Sequence, residues 1–385
     1  MISCGEPSGD LYAGALASEI LKLEPDAVVT GFGSDHLRAA GASLVGDFKG
    51  LSVTGLTEAL RVIPRSWQNY RALVRAAGEA RPDVFVPIDF PDFNFFPARA
   101  LHKRGVPVVY YISPQLWAWR RGRLRTMKRV ADRVLVIFPF EAAFYEAAGV
   151  PVTFVGHPLL ELTAPPPARE PFLRGHGLDP SRPVVALLPG SRRNELRAIL
   201  PDLVRAAAAI AALLPSTQFI VARAPHLDDE LLAPLSSWPA HAPPPVVLEG
   251  QTDAVLASAD VAVLASGTVT VQAALHGCPM VVVYRVGPIT YAVGKPLVHL
   301  DTYAMVNLVA GAKVVPELIQ DEFTPEAAST EALRVLLDPE HAAKVKADLA
   351  AVRSKLGTAG ASRRAAEAVI ETATRRRVTP AIQSR

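Results

Sequence analysis

The chain has 385 residues but only two cysteines, Cys4 and Cys278, which lie far apart in the sequence. Two thiols so widely separated exclude a disulfide framework and a cysteine zinc site. No apolar run reaches the roughly 18 residues that a membrane-spanning helix needs. The first residues also lack the basic start and apolar core of a signal peptide. We therefore expect a cytoplasmic protein without a transmembrane segment.

Acidic residues are absent from two stretches of the first half, 59–78 and 93–131, although the net charge of the chain is only +3. Both stretches interleave basic residues with aromatic and aliphatic ones, a composition typical of a surface that lies on anionic lipid. The residues assigned to this surface are Arg61, Arg65, Trp67, Arg121 and Arg125. The same composition fits nucleic acid or two solvated helix faces. We favour the lipid surface and expect no nucleic-acid partner.

The remaining composition, 50% apolar and 20% charged, is that of a packed globular protein. Strand-like segments, among them 27–31, 84–88, 184–188 and 280–284, alternate with helix-like segments through both halves. This alternation indicates doubly wound α/β domains with parallel sheets. A proline-rich stretch at 164–171 separates the halves and reads as a semi-rigid linker. The predicted organisation is a first domain over 1–160, a linker over 161–172, a second domain over 173–350, a C-terminal helix over 351–374 and a tail over 375–385.

Two buried strands of the second half run directly into glycine turns that open helices. The strand 184–188 enters Gly190, Ser191 and Arg192, and the strand 261–264 enters Ser266, Gly267 and Thr268. Glycine lets the backbone approach a ligand closely, and a helix N-terminus presents N–H groups to an anion. Arg192 adds a fixed fork of donors suited to a phosphate. The two turns together predict a site for a nucleotide diphosphate.

Other polar residues of the second half complete this predicted donor site. Gln272 lies one helical turn past Thr268, where its side chain could reach a ribose. Glu249 and Gly250 end the preceding strand, where a base could bind. Asn307 is a lone amide in an apolar segment, which needs hydrogen-bond partners if it is buried.

In the first half, the strand 84–88 ends at Asp89. Acidic residues at the carboxyl end of a parallel strand point into the ligand crevice. We predict Asp89 as a general base whose pKa is raised by partial burial. Asp92 could share this site or cap the following helix. The turn containing Glu6, Ser8 and Gly9 lacks the three-glycine dinucleotide pattern, so a nicotinamide cofactor is not expected.

No group of side chains has metal-ligand spacing, so we predict a reaction without a metal ion or cofactor. Helix termini and Arg192 would then neutralise the diphosphate. His157 could face the crevice, but we expect it to bond the linker backbone instead.

Taken in order, these motifs resemble the lipid-A-disaccharide synthase family of bacterial glycosyltransferases. The resemblance covers nearly the whole chain and is most specific at 89–94 and 113–120; it also includes 5–10, 138–141, 156–158, 188–192, 265–268 and 278–282. It implies a GT-B fold, with two facing Rossmann-like domains, a cleft between them and C-terminal helices. It further implies that the first domain binds the acceptor, and this site would include Glu6, Ser8, Gly9, Asp92, Asn94 and Ser113.

The resemblance also implies the reaction. UDP-2,3-diacylglucosamine would donate its sugar to the 6-hydroxyl of 2,3-diacylglucosamine 1-phosphate, giving the β-1,6-linked lipid A disaccharide and UDP by an inverting transfer. The family is peripheral on the cytoplasmic face of the inner membrane, and its members can form homodimers with exchanged C-terminal segments.

Two residues depart from the family pattern, and two rival functions stay open. Pro7 stands where the family usually has Ala, and Gln272 where relatives commonly have Glu. An amide accepts through one oxygen only, so ribose binding would be weaker or rearranged. One rival is another UDP-sugar enzyme of the same fold, such as a 2-epimerase, and the other is a non-enzymatic lipid-binding protein.

Overall fold

The computed structural model describes residues 1–48, 56–117, 121–225, 227–287, 291 and 302–378. The side chains of 56–62, 121 and 376–378 lie outside this description. The chain divides into two compact units. The first contains Met1–Leu162 and the chain from Leu356 onward, and the second lies between Thr163 and Lys355.

The first unit is built on parallel strands that join into one continuous order. The strands are β1 Ile2–Ser3, β2 Thr30–Gly33, β3 Ser43–Asp47, β4 Val86–Pro87, β5 Val109–Tyr111, β6 Arg133–Val136 and β7 Val152–Phe154. One sheet has the order β3-β2-β1-β4 and the other the order β5-β6-β7. Parallel bridges from Phe85 to Val108 and from Ile88 to Tyr111 link β4 to β5. Successive strands are therefore added on one side of β1 up to β3 and on its other side from β4 onward, so the switch point of the strand order lies between β1 and β4.

Helices connect these strands, as the alternating sequence predicts. They are α1 Pro7–Leu23, α2 Asp35–Ala39, α3 Leu56–Ala80, α4 Pro91–Lys103, α5 Leu124–Val130, α6 Pro139–Ala147 and α7 Leu159–Leu162. Proline at the start of α1, α4 and α6 suits the first helical turn, where no N–H partner is needed.

The second unit has a six-stranded parallel sheet in the order β10-β9-β8-β11-β12-β13. Its strands are β8 Val184–Leu188, β9 Gln218–Arg223, β10 Val246–Glu249, β11 Val261–Ala265, β12 Met280–Tyr284 and β13 Glu317–Ile319. Every residue of β8 and β11 is buried, as the continuous apolar runs predict for strands covered on both faces. This order is that of a Rossmann sheet, with its switch point between β8 and β11.

The helices of the second unit cover both faces of this sheet. They are α8 Arg169–Gly175, α9 Arg193–Leu213, α10 Thr252–Ser258, α11 Val269–Leu275, α12 Met305–Ala310, α13 Pro325–Leu337 and α14 Pro339–Lys355. The last helix, α15 Ala361–Val378, packs on α1 of the first unit. It continues past the end predicted at Thr374, so the triple arginine at 375–377 lies in the helix rather than in a tail. The prediction of an α/β fold with parallel sheets is confirmed.

Candidate active site

Asp89 lies two residues after β4, at the carboxyl edge of the first sheet. Ile2 and Ser3 of β1 pair with Val86 and Pro87 of β4, so the loops that follow both strands leave the same edge at the switch point. Ligands of open α/β sheets bind at this position. The turn containing Glu6 and the half-buried Asp89 are therefore brought to one place, as the sequence predicts.

The Asp89 backbone has an unusual conformation. Asp89 and Phe90 have φ angles of 41° and 48°, which is the left-handed region that residues with a Cβ seldom adopt. The Asp89 N–H donates to the carbonyls of Tyr111 and Ile112, at 3.2 and 3.1 Å. Its carbonyl accepts from the Tyr110 hydroxyl and from the Asn94 side-chain amide, both at 2.9 Å. The turn carrying the predicted base is thus fixed on both sides.

Gly5 is needed because the Phe90 ring lies against it. A Cβ at Gly5 would lie 2.0 Å from Cδ1 of Phe90, a separation that real contacts do not reach. The glycine of the first loop therefore makes room for the residue next to Asp89. The two loops at the switch point are packed together through this contact.

The polar residues of the turn after β1 have different structural roles. Asp10 is buried and accepts from the N–H groups of Ser34 and His36, at 2.7 and 2.8 Å, at the start of α2. Asp10 thus caps α2 although it lies in α1, whose own N-cap residue is Glu6. Glu6 and Ser8 are half-buried, whereas Gly9 is buried.

Asn94 and Ser113, both predicted for the acceptor site, are buried and bonded inside the protein. The Asn94 Oδ1 accepts from the Ser3 hydroxyl at 2.7 Å. Ser113 donates to Glu141 Oε1 at 3.2 Å and accepts from Tyr145 at 2.9 Å. Asp92 is exposed and forms an ion pair with Arg123. The structure therefore places Asn94 and Ser113 behind the crevice and Asp92 at the surface.

A buried carboxyl that the sequence analysis did not single out lies behind Ser113. Glu141 accepts from the Trp117 indole N–H and from the Phe138 backbone N–H, both at 3.2 Å. Burial raises the pKa of Glu141 to about 7, although these donors oppose the shift. Glu141 thereby ties the segment after β5 to the start of α6. Its position in the Phe-Pro-Phe-Glu stretch at 138–141 does not indicate this role, because the side-chain partners Trp117 and Ser113 lie 24 and 28 residues away.

His157 is buried, and its Nδ1 accepts from the Leu159 backbone N–H at 3.2 Å. Its ring also contacts Tyr12 and Phe138. His157 therefore bonds backbone two residues on, before the predicted linker at 161–172, rather than the linker itself. Burial lowers the pKa of His157 to about 3. The imidazole is therefore neutral in the folded protein at physiological pH.

This shift predicts a loss of stability in acid. Below about pH 6.5, His157 takes up a proton in the unfolded chain but not in the folded chain. The free energy of unfolding therefore falls, because of His157, by up to about 1.4 kcal/mol per pH unit until the pKa of the folded state is reached. Urea unfolding of the wild type and of His157→Gln, measured from pH 7.5 to 5, checks this. The advantage of the wild type should shrink as the pH falls below 6.5. A difference that stays constant would contradict the assignment.

In the second unit, Gly190 and Gly267 follow neighbouring strands at the switch point. Leu188 of β8 pairs with Leu264 of β11, so the two turns begin at the same edge. Gly190 has a φ of 117°, and a Cβ there would lie 2.4 Å from Glu195 Oε2. Ser266 is half-buried, and Gly267 and Thr268 are exposed. The two predicted phosphate turns are therefore adjacent.

Glu195, on the first turn of α9, accepts hydrogen bonds from the donors of the glycine turn that contains Gly190. Its Oε2 accepts from the N–H groups of Ser191 and Arg192, at 3.0 and 3.2 Å, and its Oε1 pairs with the Arg192 guanidinium at 3.1 Å. These two N–H groups are thus not free, contrary to the expectation from the sequence. The Arg192 side chain is one-third exposed at this turn.

Gln272 lies beside a carboxylate. Its Nε2 donates to Asp253 Oδ1 at 3.2 Å, and the same oxygen lies 3.0 Å from His276 Nε2. Asp253 belongs to the first turn of α10 and is a quarter exposed. Sequence reasoning missed Asp253, because nothing in the local pattern shows that α10 and α11 are neighbours. Of the predicted base-binding residues, Glu249 is exposed and lies 3.4 Å from Arg223, and Gly250 has a φ of 70°.

Asn307 is buried and has internal partners for both ends of its amide. Its Nδ2 donates to Val315 O at 2.9 Å and to Glu317 Oε1 at 2.6 Å. Its Oδ1 accepts from the N–H groups of Val314 and Val315. The lone amide is satisfied by the protein itself and joins α12 to the segment before β13.

The predicted lipid surface lies on α3, α4 and α5 of the first unit. Ile63, Trp67 and Phe96 are each more than half exposed, although they are apolar. Trp67 stacks on Tyr70, which also contacts Phe96, so the exposed rings are contiguous. Arg65 and Arg125 are exposed on the same helices. The side chains of Arg61 and Arg121 lie outside the described residues.

Two further features are absent from the described part of the chain. No helix there is long and apolar enough to cross a membrane. No group of three or more His, Cys, Asp or Glu side chains there could hold a metal ion.

The fold is that of the GT-B class, as two solved structures show. A putative UDP-N-acetylglucosamine 2-epimerase from Listeria monocytogenes has the same fold, at 15% identity and a TM-score of 0.65, over 97% of this chain and 96% of that one. The calicheamicin glycosyltransferase is similar, at 19% identity and a TM-score of 0.59, over 98% and 99% of the two chains. At these identities the likeness concerns the fold alone.

The sequence relatives are much nearer. A family model described as lipid-A-disaccharide synthetase matches residues 1–371. The lipid-A-disaccharide synthase of Geobacter metallireducens is 45% identical over 371 residues, and that of Myxococcus xanthus 43% identical over 371 residues, in each case over 96% of both chains. The chain belongs to the lipid-A-disaccharide synthetase family and is a glycosyltransferase of lipid A biosynthesis.

Proposed function

We propose that the enzyme transfers the sugar of UDP-2,3-diacylglucosamine to the 6-hydroxyl of 2,3-diacylglucosamine 1-phosphate with inversion at the anomeric carbon. Asp89 takes the hydroxyl proton while the acceptor oxygen bonds to the anomeric carbon. The bond from that carbon to the β-phosphate breaks, and UDP leaves with the electron pair. The observation that carries this proposal is the half-buried carboxylate of Asp89 at the switch point of the first sheet.

The second unit supplies the donor site in this proposal. Gly190 and Gly267 let the diphosphate approach the edge of the sheet, and Arg192 neutralises the charge that builds on the leaving UDP. Glu195 holds Arg192 at this edge through their ion pair. Ribose binds beside Gln272, and Asp253 supports the amide through their hydrogen bond. Asn307 acts indirectly, because both ends of its amide are bonded internally.

A transferase assay tests this function. The purified enzyme should convert the two acylated substrates to UDP and a disaccharide, and nuclear magnetic resonance of the product should show a β linkage. An α linkage would overturn the inverting mechanism. The enzyme should not interconvert UDP-N-acetylglucosamine with its 2-epimer in the absence of acceptor. Such interconversion would favour the 2-epimerase instead.

We also propose that the α3–α5 surface docks the enzyme on the cytoplasmic face of the inner membrane. Both substrates carry acyl chains, so the acceptor site must open at a lipid surface. α4 begins at Pro91, two residues after Asp89, and carries the exposed Phe96. The same helices bring exposed rings and arginines to that surface, and each basic residue near anionic lipid contributes about 1 kcal/mol. A homodimer is not required by this scheme.

Charge reversal tests the docking surface. Changing Arg61, Arg65, Arg121 and Arg125 to Glu should release the protein from vesicles containing anionic lipid, while UDP binding stays intact, because the electrostatic attraction becomes repulsion. Flotation at low and high salt measures the effect. The matched control reverses four exposed basic residues of the second unit, Arg182, Lys313, Arg334 and Lys346. Vesicle binding of the first variant equal to wild type at low salt would contradict the proposal.

A further inference from the structure

The turn that carries Asp89 does not hold its shape through local preference. Two consecutive residues, Asp89 and Phe90, have left-handed backbone angles, which a Cβ disfavours. Aspartate tolerates this region better than most residues, but phenylalanine does not, and two such residues in succession are rarer still. Bonds from elsewhere in the fold must therefore hold the turn in place.

Two buried side chains supply those bonds. The Tyr110 hydroxyl and the Asn94 amide both donate to the Asp89 carbonyl at 2.9 Å. The Asn94 Nδ2 also lies 3.1 Å from the Ile88 carbonyl and 3.2 Å from the Ser3 carbonyl, so one amide joins the ends of β1 and β4. The Ser3 hydroxyl fixes the orientation of that amide by donating to its Oδ1. Both Asn94 and Tyr110 have no exposed surface.

We propose that Tyr110 and Asn94 are positioning residues for the proton transfer. They hold the Asp89 turn in its left-handed conformation and thereby fix the carboxylate where it meets the acceptor hydroxyl. Neither touches the substrate, because neither reaches the surface. The inference rests on the proposed function of Asp89 as the base. A displacement of about 1 Å at a reacting group can cost about 10²-fold in rate, so a turn that relaxes should slow the reaction without weakening binding.

The first variant is Tyr110→Phe, which removes one oxygen and keeps the buried ring. We expect kcat to fall about 10-fold, with the KM of both substrates and the Kd of UDP unchanged. The matched control is Tyr111→Phe. Tyr111 is equally buried and next on the same strand, but it faces the opposite side of the sheet, and its hydroxyl does not bond the Asp89 turn. This control should keep the wild-type kcat.

A second variant, together with a stability measurement, separates a slower reaction from a loss of folded protein. Asn94→Ala removes all the bonds of the amide and should lower kcat about 10²-fold. Thermal unfolding of each variant is measured beside its rate. In the folded Tyr110→Phe variant, a kcat equal to wild type would overturn the positioning role, as would equal losses in kcat for Tyr110→Phe and Tyr111→Phe.

The decisive measurement combines Tyr110→Phe with Asp89→Asn. If Tyr110 acts through the Asp89 carboxylate, it has nothing to position once that carboxylate is gone, and the residual rate should not fall further. A further 10-fold fall in the double variant would show that Tyr110 supports the structure generally and would overturn the inference. Wild-type turnover in the Asp89→Asn single variant would instead overturn the proposed role of Asp89 as the base. The single variant therefore distinguishes a failure of the proposed function from a failure of the positioning inference.

Discussion

Replacing Asp89 by Asn should lower turnover at least about 10²-fold while UDP binding is kept. The amide preserves the size of the side chain but cannot take the acceptor proton, and a positioned base contributes about 10² to 10⁴-fold. In the proposed function UDP binds to the second unit, whereas Asp89 belongs to the first. Steady-state rates with both acylated substrates, and calorimetric titration with UDP, measure the two effects separately.

Asp92→Asn is the matched control for this experiment. Asp92 lies three residues on, and its exposed carboxylate pairs with Arg123 at the start of the next helical segment. An exposed ion pair contributes little, so we expect a change in turnover of less than about threefold. A larger loss in Asp92→Asn than in Asp89→Asn would move the base to the second carboxylate.

The second large effect is expected from Arg192→Ala. Charge develops on the β-phosphate as the glycosidic bond breaks, and loss of one preorganised donor at such a position costs about 10² to 10³-fold in turnover. The variant also leaves Glu195 without its guanidinium partner, next to the place where the diphosphate is expected. Both changes act in the same direction, so UDP should bind more weakly as well. Single-turnover rates and UDP titration check this.

Arg193→Ala is the control for Arg192, because it removes a neighbouring positive charge whose partner is Asp228, away from Glu195. It should keep near-wild-type turnover.

A chelator should leave the wild-type rate unchanged, since Arg192 and the turns are proposed to neutralise the diphosphate without a metal. A rate abolished by chelator and restored by magnesium would contradict this mechanism.

The strands of the second unit were easier to predict than those of the first, for a physical reason. β8 and β12 were predicted with their observed bounds, because a strand buried on both faces reads as a continuous apolar run. β3 was missed, since its five residues are only partly buried and mix polar with apolar side chains. β2 begins three residues later than predicted, and Val28, inside the predicted strand, is 84% exposed.

The positions of the candidate site residues in the fold could be predicted from the sequence, but their hydrogen-bond partners could not. The place of Asp89 after β4 follows from the strand pattern alone. The partners of Asn94 do not, since Ser3 lies 91 residues away in the sequence. The same holds for Asp253 beside Gln272, 19 residues apart on two different helices. An amide such as Asn94, which the sequence suggests as a ligand contact, can have its hydrogen-bond partners inside the protein instead. Those partners can be identified only once the fold is known.

The return of the chain to the first unit has a consequence for synthesis on the ribosome. The Arg364 guanidinium donates to the Val155 carbonyl, 209 positions earlier, and Glu161 accepts from the Ser362 N–H. Domains tend to fold as units while the chain emerges. The second unit is complete once residue 355 has left the exit tunnel, whereas the first must wait for α15. The unit translated first should therefore finish folding last, with the groups that α15 covers exposed in the meantime.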